Sequence, residues 1–339
     1  MLSNEIFFLA GCVIARDFTY AATQLEDVDP SEFTHTRMFI FDAQSTAKHK
    51  WHSHEVNANV VSVCVEYVIH APRKTFCGLS KEGEVDIHTN ANNLPDIQEK
   101  IADAGLRLSK CKVKVNGKSV RAYAGYVTHI RHIGQHLYVC GLNGQVYRRD
   151  DRKGWLHLDQ GLFNPIVDPL KHESDNNFTC IDGNAEDDIY AVGDSGCIQH
   201  FDGKQWSRIK TECDEHLLWV RCYGPDEVWI SGYNGTALVG NARDGFKDVS
   251  GVDDNDAFWS VCKHLDKVYF ATLSTLYVYD ANHGGKLAPV VSGLKPELET
   301  YSLDQAGGVL WSFGTKDVTW FDGKQWHREQ HPDNTKIGA

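Results

Sequence analysis

The amino-acid sequence predicts an all-β, seven-bladed β-propeller with four antiparallel strands in each blade. The hexapeptide Phe-Asp-Gly-Lys-Gln-Trp occurs twice, beginning at Phe201 and at Phe321, which lie 120 residues or three times 40 apart. One four-stranded propeller blade spans roughly 40–45 residues. A repeat at a multiple of this period indicates a ring of blades. We therefore expect residues 1–339 to form a single propeller domain.

The second strand of each blade gives the period directly. A short β-branched and aromatic run that ends on a small residue recurs through the C-terminal half, as expected of buried strands. The runs end at Gly193, Gly232, Thr272 and Gly314, with spacings of 39, 40 and 42 residues. Asp202-Gly203 and Asp322-Gly323 then predict two-residue hairpin turns, which favour Asp-Gly because both central residues need positive φ.

Three more degraded blades precede these runs. We place them at about 6–56, 60–108 and 126–159, and a six-bladed ring is the alternative if the first blade is misassigned. Within the second, apolar residues after Pro95 recur at helical spacing and predict a short surface helix over 95–108. The tail after residue 331 has no strand pattern and is expected to be loose.

The best-preserved blade runs from Ile189-Tyr-Ala-Val-Gly193 to Asp202-Gly-Lys-Gln-Trp206. It resembles bacterial β-propellers whose blades read Val-Trp-Ala-Val-Gly…Asp-Gly-x-x-Trp, and the likeness covers about residues 126–329. The chain lacks the Gly-His and Trp-Asp signatures of WD repeats, the paired glycines of kelch repeats and the sialidase Asp box. The resemblance implies the fold, which serves enzymes, lectins and scaffolds alike. Similar propellers also occur among immunity proteins that neutralise toxins delivered between bacterial cells.

Charge limits the classes of partner. The chain carries 46 Asp and Glu against 34 Lys and Arg, for a net charge of −12. Such a surface repels nucleic acid and anionic membranes and attracts basic proteins. The single basic stretch, 110–121, alternates charged and other residues and is expected to be the solvated side of a strand. No apolar run approaches the ~20 residues of a membrane-spanning helix.

Ten cysteines are spread singly along the chain, with no Cys-x-x-Cys pair. This pattern predicts reduced thiols and a cytoplasmic protein rather than a disulfide framework. The run Leu9-Ala10-Gly11-Cys12 matches a lipoprotein cleavage box. However, Glu5 precedes it and no Lys or Arg lies upstream, so a strand is favoured there.

Aromatic residues are predicted at the start of the innermost strands, which line the channel of a propeller. Counting back 13 or 15 residues from the end of each second strand reaches Tyr126, Phe178, Trp219, Trp259 and Tyr301. Closure of the ring would place these side chains around one mouth of the channel. Aromatic side chains are enriched among the residues that dominate protein–protein binding energy. The alternative is that they only pack one blade against the next.

Four loops that precede these aromatic residues are acidic. Together, 172–177, 211–216, 251–257 and 295–299 contain ten carboxylates and a single lysine. Asp214, Glu215, Asp254 and Asp256 are expected to attract a basic partner, because complementary charge accelerates association. The sequence thus predicts a non-enzymatic module that binds a basic toxin or effector domain as a stoichiometric inhibitor.

Two other classes of function remain open. A carbohydrate-binding propeller would also use Trp and Tyr platforms, in separate pockets, and a glycosidase or lyase would need convergent carboxylates at the channel mouth. The chain contains no Gly-x-Ser-x-Gly, phosphate loop or dinucleotide fingerprint, and we therefore predict no catalytic residue and no cofactor. The clusters His49/His52/His54 and His129/His132/His136 match no common ligand spacing, and no metal site is predicted.

Overall fold

The computed structural model describes residues 5–25, 34–46, 49–68, 73–89, 95–106, 111–251 and 256–336. Strands β1 to β30 form seven four-stranded sheets and one two-stranded sheet. In every four-stranded sheet the strands lie in chain order, so each sheet is an antiparallel meander. The protein is a seven-bladed β-propeller, as the repeat period predicts.

The first three blades occupy the N-terminal half of the chain. The first contains β1 (Ile6–Ala15), β2 (Phe18–Leu25), β3 (Thr36–Asp42) and β4 (Trp51–Val56). The second contains β5 (Val60–Val68), β6 (Arg73–Ser80), β7 (Glu84–His88) and β8 (Ile97–Lys100). A separate hairpin of β9 (Cys111–Val115) and β10 (Lys118–Ala122) follows. The third blade contains β11 (Val127–Ile133), β12 (His136–Gly141), β13 (Val146–Asp150) and β14 (Gly154–His157).

Four further blades follow at the predicted period. The fourth contains β15 (Phe178–Ala185), β16 (Asp188–Gly193), β17 (Cys197–Phe201) and β18 (Trp206–Arg208). The fifth contains β19 (Leu217–Cys222), β20 (Val228–Gly232), β21 (Ala237–Asn241) and β22 (Gly245–Asp248). The sixth contains β23 (Ser260–His264), β24 (Lys267–Ala271), β25 (Leu276–Asp280) and β26 (Lys286–Pro289). The seventh contains β27 (Ser302–Ala306), β28 (Val309–Phe313), β29 (Asp317–Phe321) and β30 (Trp326–Gln330).

The chain divides into two compact units. The terminal unit comprises 1–63, 229–239 and 247–339, and the central unit comprises 64–228 and 240–246. In the terminal unit the first and seventh blades share one core, in which Phe8, Phe41 and Trp311 are buried. Gly11 permits this close approach, because a Cβ atom there would lie 2.4 Å from the ring of Phe313. In the central unit the second and third blades share a core, and the third and fourth blades share another.

The repeated hexapeptide forms the connection between the third and fourth strands of a blade. The carboxylate of Asp202 accepts hydrogen bonds from the N–H groups of Lys204 at 2.9 Å and Gln205 at 2.8 Å. Asp322 makes the same two bonds to the residues that follow it. Because Phe201 pairs directly with Trp206, the loop has four residues. The prediction of a two-residue hairpin turn is wrong here.

The predicted surface helix over 95–108 is also wrong. Residues Ile97–Lys100 form strand β8, which pairs with β7 through Ile87 and completes the second blade. The apolar spacing was misleading because Ile97 lies on an outermost strand and is 43% exposed, whereas Ile101 is buried beyond the strand end. Residues 107 and 108 lie outside the described part of the chain.

The tail over 331–336 is held in place, contrary to the prediction. The side-chain oxygen of Asn334 accepts the N–H of Ile6 at 2.8 Å, and its amide nitrogen donates to the Ile6 carbonyl at 3.2 Å. The same nitrogen donates to the Lys316 carbonyl at 2.6 Å. His331 is buried against Phe39, with ring centroids 4.1 Å apart. These contacts fix the start of β1 within the terminal unit.

No helix in the described part of the chain is long and apolar enough to cross a membrane.

Candidate partner-binding surfaces

Two of the predicted aromatic anchors meet in the terminal unit. Trp259 and Tyr301 directly precede the innermost strands β23 and β27, as predicted. Their backbone N–H groups donate to the carbonyls of Ala271 at 2.8 Å and Phe313 at 2.9 Å. Their rings lie 5.4 Å apart between centroids, at an interplanar angle of 39°. Both side chains are half-buried. The sixth and seventh blades therefore present a joint aromatic surface.

A third aromatic residue extends this surface. Tyr233 lies in the turn between β20 and β21, and its ring meets that of Trp259 edge to face at 6.1 Å. The Tyr233 side chain is 38% exposed. The prediction did not include Tyr233. The available signal was the turn Gly232-Tyr-Asn-Gly235, which carries a large aromatic residue where small polar residues are usual. We call Tyr233, Trp259 and Tyr301 the aromatic cluster.

One predicted carboxylate lies beside the turns of this unit. Asp256 is exposed, its carbonyl accepts the N–H of Gly235 at 2.8 Å, and its carboxylate accepts the hydroxyl of Ser274 at 3.2 Å. Leu273, next to Ser274, is 50% exposed. An anion and an exposed apolar side chain are thus close together. Asp254 lies outside the described residues.

The acidic loop 295–299 is held by a buried ion pair. The guanidinium of Arg328 pairs with Asp317 at 2.5 Å and donates to the carbonyls of Lys295 and Pro296 at 3.0 and 2.9 Å. Burial raises the pKa of Asp317 to about 6, although the Arg328 charge opposes the shift. A cavity of about 180 Å³ lies between this loop, Glu5 and Lys316. The loop that leads into β27 is therefore fixed in position.

Trp219 lies deeper in the central unit than predicted. The prediction placed it at the start of an innermost strand, whereas it is the third residue of β19 and is half-buried. Its indole meets the imidazole of His129, on β11, at 4.9 Å and 77°, and the guanidinium of Arg221 lies 5.4 Å from the indole centroid. Trp219 therefore links the first strand of the fifth blade to the first strand of the third blade.

The group around Trp219 contains a buried imidazole and a buried thiol. Burial lowers the pKa of His129 well below its usual range, and the charges of Arg221 and Arg131 lower it further. His129 is therefore neutral at pH 7. The Cys180 thiol lies 3.7 Å from its Nδ1 atom, and burial raises the pKa of that thiol to about 12. A neutral imidazole beside a protonated thiol supplies no activated nucleophile.

Phe178 is buried and is not an accessible anchor, contrary to the prediction. Its side chain has 0% exposure and packs in the core of the third and fourth blades with Ile181 and Phe201. Phe178 is the first residue of β15 and pairs with Gly193, as the count predicts, but its side chain faces the core, and the pairing of β15 with β16 shifts between Phe178 and Cys180. The pairing of β23 with β24, which follows Trp259, has no such shift.

The remaining predicted residues of the central unit are accessible. Tyr126 is half-buried, and the ammonium of Lys81 lies 5.4 Å from its ring centroid. Asp214 is exposed, and Glu215 is partly exposed with its carbonyl accepting the N–H of Gly196 at 2.8 Å. His216 pairs with Asp194 at 3.0 Å. An exposed imidazole thus lies within the predicted acidic loop.

The described residues contain no candidate metal site. Among these residues no group of three or more His, Cys, Asp or Glu side chains is arranged to hold a metal ion. His54, one of the clustered histidines, stacks on Tyr20 with ring centroids 5.8 Å apart.

Comparison with known proteins gives one full-length relative. No model of a known protein family matches the chain. The chain is 27% identical to a protein of Pseudomonas aeruginosa named immune protein Tsi7, and the match covers 94% of this chain and 96% of that protein.

Solved structures of the same fold are similar at low sequence identity. The WD40 β-propeller domain of Doa1 matches with a TM-score of 0.58 at 8% identity, covering 97% of this chain and 95% of that one. The computationally designed protein Ika8 matches with a TM-score of 0.56 at 12% identity, covering 94% and 97%. At such identities the likeness shows the fold alone.

Proposed function

We propose that this protein is an immunity protein that binds a toxin and blocks its activity without catalysing a reaction. The observation that carries the proposal is the similarity to immune protein Tsi7 over nearly the whole length of both chains. A propeller fold is compatible with this role, because its rigid loops can form a preorganised binding surface and so reduce the entropy lost on binding.

The aromatic cluster would supply the main contacts. Tyr233, Trp259 and Tyr301 are partly exposed and held by one another, so little side-chain freedom would be lost on binding. Rigid aromatic residues of this kind dominate the binding energy of many interfaces. Because the rings contact each other, they form one surface rather than the separate equivalent pockets expected of a carbohydrate-binding propeller.

The partner would be a basic protein domain. Asp256 lies beside the aromatic cluster, Asp214 and Glu215 lie in the acidic loop of the central unit, and the whole chain carries a net charge of −12. This charge would accelerate association with a cationic surface and would disfavour nucleic acid and anionic membranes as partners. Trp219 and Tyr126 are further proposed contacts.

The proposed site of action is the cytoplasm. All ten cysteines are free thiols, and eight of them are buried. Reduced cysteines are maintained in the cytosol and are at risk of oxidation in secreted proteins. An immunity protein in this compartment would meet a toxin after the toxin has entered the cell.

Growth protection tests the proposal. A toxin domain encoded beside this gene is expressed in a sensitive host together with wild-type protein, Trp259→Ala or Leu265→Ala. Leu265 is a matched control, because it is 64% exposed and lies at the other end of β23. Wild type and Leu265→Ala are expected to protect, and Trp259→Ala to lose protection at equal protein levels. Equal protection by all three proteins would place the interface elsewhere, and no protection by wild type would overturn the function.

A further inference from the structure

The β9–β10 hairpin is an amphipathic insertion of the central unit. Its two strands pair through Lys118↔Val115, Val120↔Val113 and Arg121↔Lys112, around a turn in which Asn116 and Gly117 have φ of 50° and 78°. Directly opposed residues in an antiparallel pair share one face. Val113, Val120 and the buried Cys111 and Ala122 thus form an apolar face. The opposite face carries Lys112, Lys114, Ser119 and Arg121.

The second face is cationic and uncompensated. Lys112, Lys114 and Arg121 are exposed, and residues 111–122 contain no Asp or Glu. Within the described residues none of these three side chains has an ion-pair partner. Lys112 lies directly opposite Arg121, an arrangement of like charges that destabilises an isolated hairpin. A bound anionic group would relieve this repulsion. A cluster of cations of this kind is unusual on a chain with a net charge of −12.

The outer edge of β10 is open. The hairpin is a two-stranded sheet, so the backbone groups of β10 that face away from β9 have no strand partner among the described residues. Tyr123 pairs at this edge with Ile166, through N–H to carbonyl bonds of 3.0 and 2.7 Å in the two directions. Along a strand, backbone N–H and carbonyl groups point alternately to the two edges. Ser119 and Arg121 lie an even number of residues from Tyr123, so their N–H and carbonyl groups face the same edge. The pairing does not continue along β10 toward Arg121, because the chain bends at Val167, directly after Ile166.

The base of the hairpin is rigidly attached. The side chains of Asn143 and Gln145 both donate to the carbonyl of the buried Ala124, at 2.8 and 2.9 Å. The N–H of Gly144 in the same turn donates to the carbonyl of Asn176 at 2.6 Å. These bonds anchor the chain directly after β10, and an anchored edge loses less entropy when a strand adds to it.

We propose that the open edge of β10 binds an extended, acidic segment of the partner protein as an added β-strand. The backbone of the segment would pair with Ser119 and Arg121. Its alternate carboxylates would lie beside Arg121, on the face from which the long side chains of Lys112 and Lys114 extend on the next strand. Strand addition of this kind takes affinity from main-chain hydrogen bonds and specificity from alternate side chains. The proposal rests on the proposed function, because the partner is the toxin, and it adds a second, oppositely charged contact to the aromatic cluster.

Other occupants fit less well. Edge-to-edge pairing of two copies of this chain would bring two sets of cations together. Nucleic acid and lipid headgroups offer anions but no strand to pair with the open backbone groups, and the net charge of −12 repels both.

A strand-forming peptide tests the edge without the toxin. The probe is an acetylated peptide of alternating Val and Glu, compared with the same peptide in which Gln replaces Glu. Binding is followed by fluorescence anisotropy and by amide hydrogen exchange of residues 111–123. The Glu peptide is expected to protect the amides of Ser119 and Arg121 and to bind more than about tenfold more tightly than the Gln peptide.

Two variants separate charge from backbone pairing. Lys112→Glu/Lys114→Glu/Arg121→Glu removes the cations, and its matched control Lys153→Glu/Lys204→Glu/Lys210→Glu reverses three exposed lysines elsewhere in the central unit. Ser119→Pro removes one outward N–H and keeps the charge, with Ser119→Ala as its control. We expect the hairpin triple variant and Ser119→Pro to lose binding and both controls to retain it.

Three results would overturn the proposal. The first is that the Glu peptide does not protect the amides of Ser119 and Arg121 from exchange. The second is that the Gln peptide binds as tightly as the Glu peptide. The third is that a DNA duplex or anionic phosphatidylserine vesicles protect these amides as well as the Glu peptide does. Any of these with intact growth protection by the wild-type protein would reject the strand site and leave the immunity function standing. Peptide binding without growth protection would reject the immunity function and leave the edge as a binding site for acidic strands.

Discussion

The indole of Trp259 and the phenol ring of Tyr301 are in contact, with centroids 5.4 Å apart, although they precede strands of different blades. Each ring therefore packs between blades and is also partly exposed. The two interpretations of such aromatic residues, as packing residues or as binding residues, are compatible at this position. The contact also means that substitution of one ring will alter the position of the other.

We expect the effects of Trp259→Ala and Tyr301→Ala on toxin binding to be non-additive. Residues in contact show interaction energies of about 0.5–3 kcal/mol in double-mutant cycles, and we expect a coupling energy of this size in toxin binding. Calorimetric titration of the toxin domain with the four proteins measures it. Tyr67→Ala, in the central unit and 48% exposed, is the control and should show no coupling to Trp259→Ala.

Asp317 should make stability depend on pH between about 4 and 6. Its pKa is raised from 3.8 to about 6 in the folded protein, so folding favours the protonated carboxyl. The resulting stabilisation is present at low pH and is lost as pH rises through 6, by an amount of up to about 3 kcal/mol. Urea unfolding of wild type and Asp317→Asn at pH 4, 5, 6 and 7 should show that the variant lacks this dependence. Identical pH profiles would contradict the shift.

His331 should contribute the opposite dependence. Burial lowers its pKa from 6.5 to about 4, because its imidazole lies among Phe39 and Trp51. The unfolded chain takes up a proton at a pH where the folded protein does not, so this group lowers the free energy of unfolding as pH falls from about 6.5 to 4. His331→Gln should be less stable at pH 7 and should lose stability less steeply on acidification. A variant with the slope of wild type would show that His331 titrates normally.

Asn334→Ala should destabilise the protein by about 1–3 kcal/mol. The substitution leaves the buried N–H and carbonyl of Ile6 without their partner, and unpaired buried groups cost this much. Chemical unfolding measures the loss, and hydrogen exchange should show faster exchange in β1. Lys336→Ala, two residues further and exposed, is the control. A loss of less than about 0.5 kcal/mol would mean that the tail contributes little to stability.

The sequence predicted the repeated part of the fold and missed features that depend on local irregularity. The period of about 40 residues and the buried second strands identified the blades, because each blade must bury similar strands against its neighbours. Phe178 lies at the start of β15 as predicted but is buried, because spacing alone does not tell which way a side chain faces beside a register shift. The strand Ile97–Lys100 resembled a helix because one exposed isoleucine completed a helical pattern.

Prediction of the candidate site was limited by contacts between distant residues. Trp259, Tyr301 and Asp256 could be proposed because they precede innermost strands or lie in the loops before them. Tyr233 was missed although its turn carries an unusual aromatic residue, because its contact with Trp259 joins two different blades. The hairpin 111–122 was visible as an alternating basic stretch, but its open edge became apparent only from the strand pairing.

The most direct test of the central claim is a calorimetric titration of the purified toxin domain with wild-type protein and Trp259→Ala. Wild type should bind one toxin molecule per chain and abolish its activity at one equivalent. Trp259→Ala should bind at least about 2 kcal/mol more weakly, as expected for a central aromatic anchor, while its unfolding curve shows a folded protein. Equal affinity of the two proteins, or inhibition at far less than one equivalent, would contradict stoichiometric binding through the aromatic cluster.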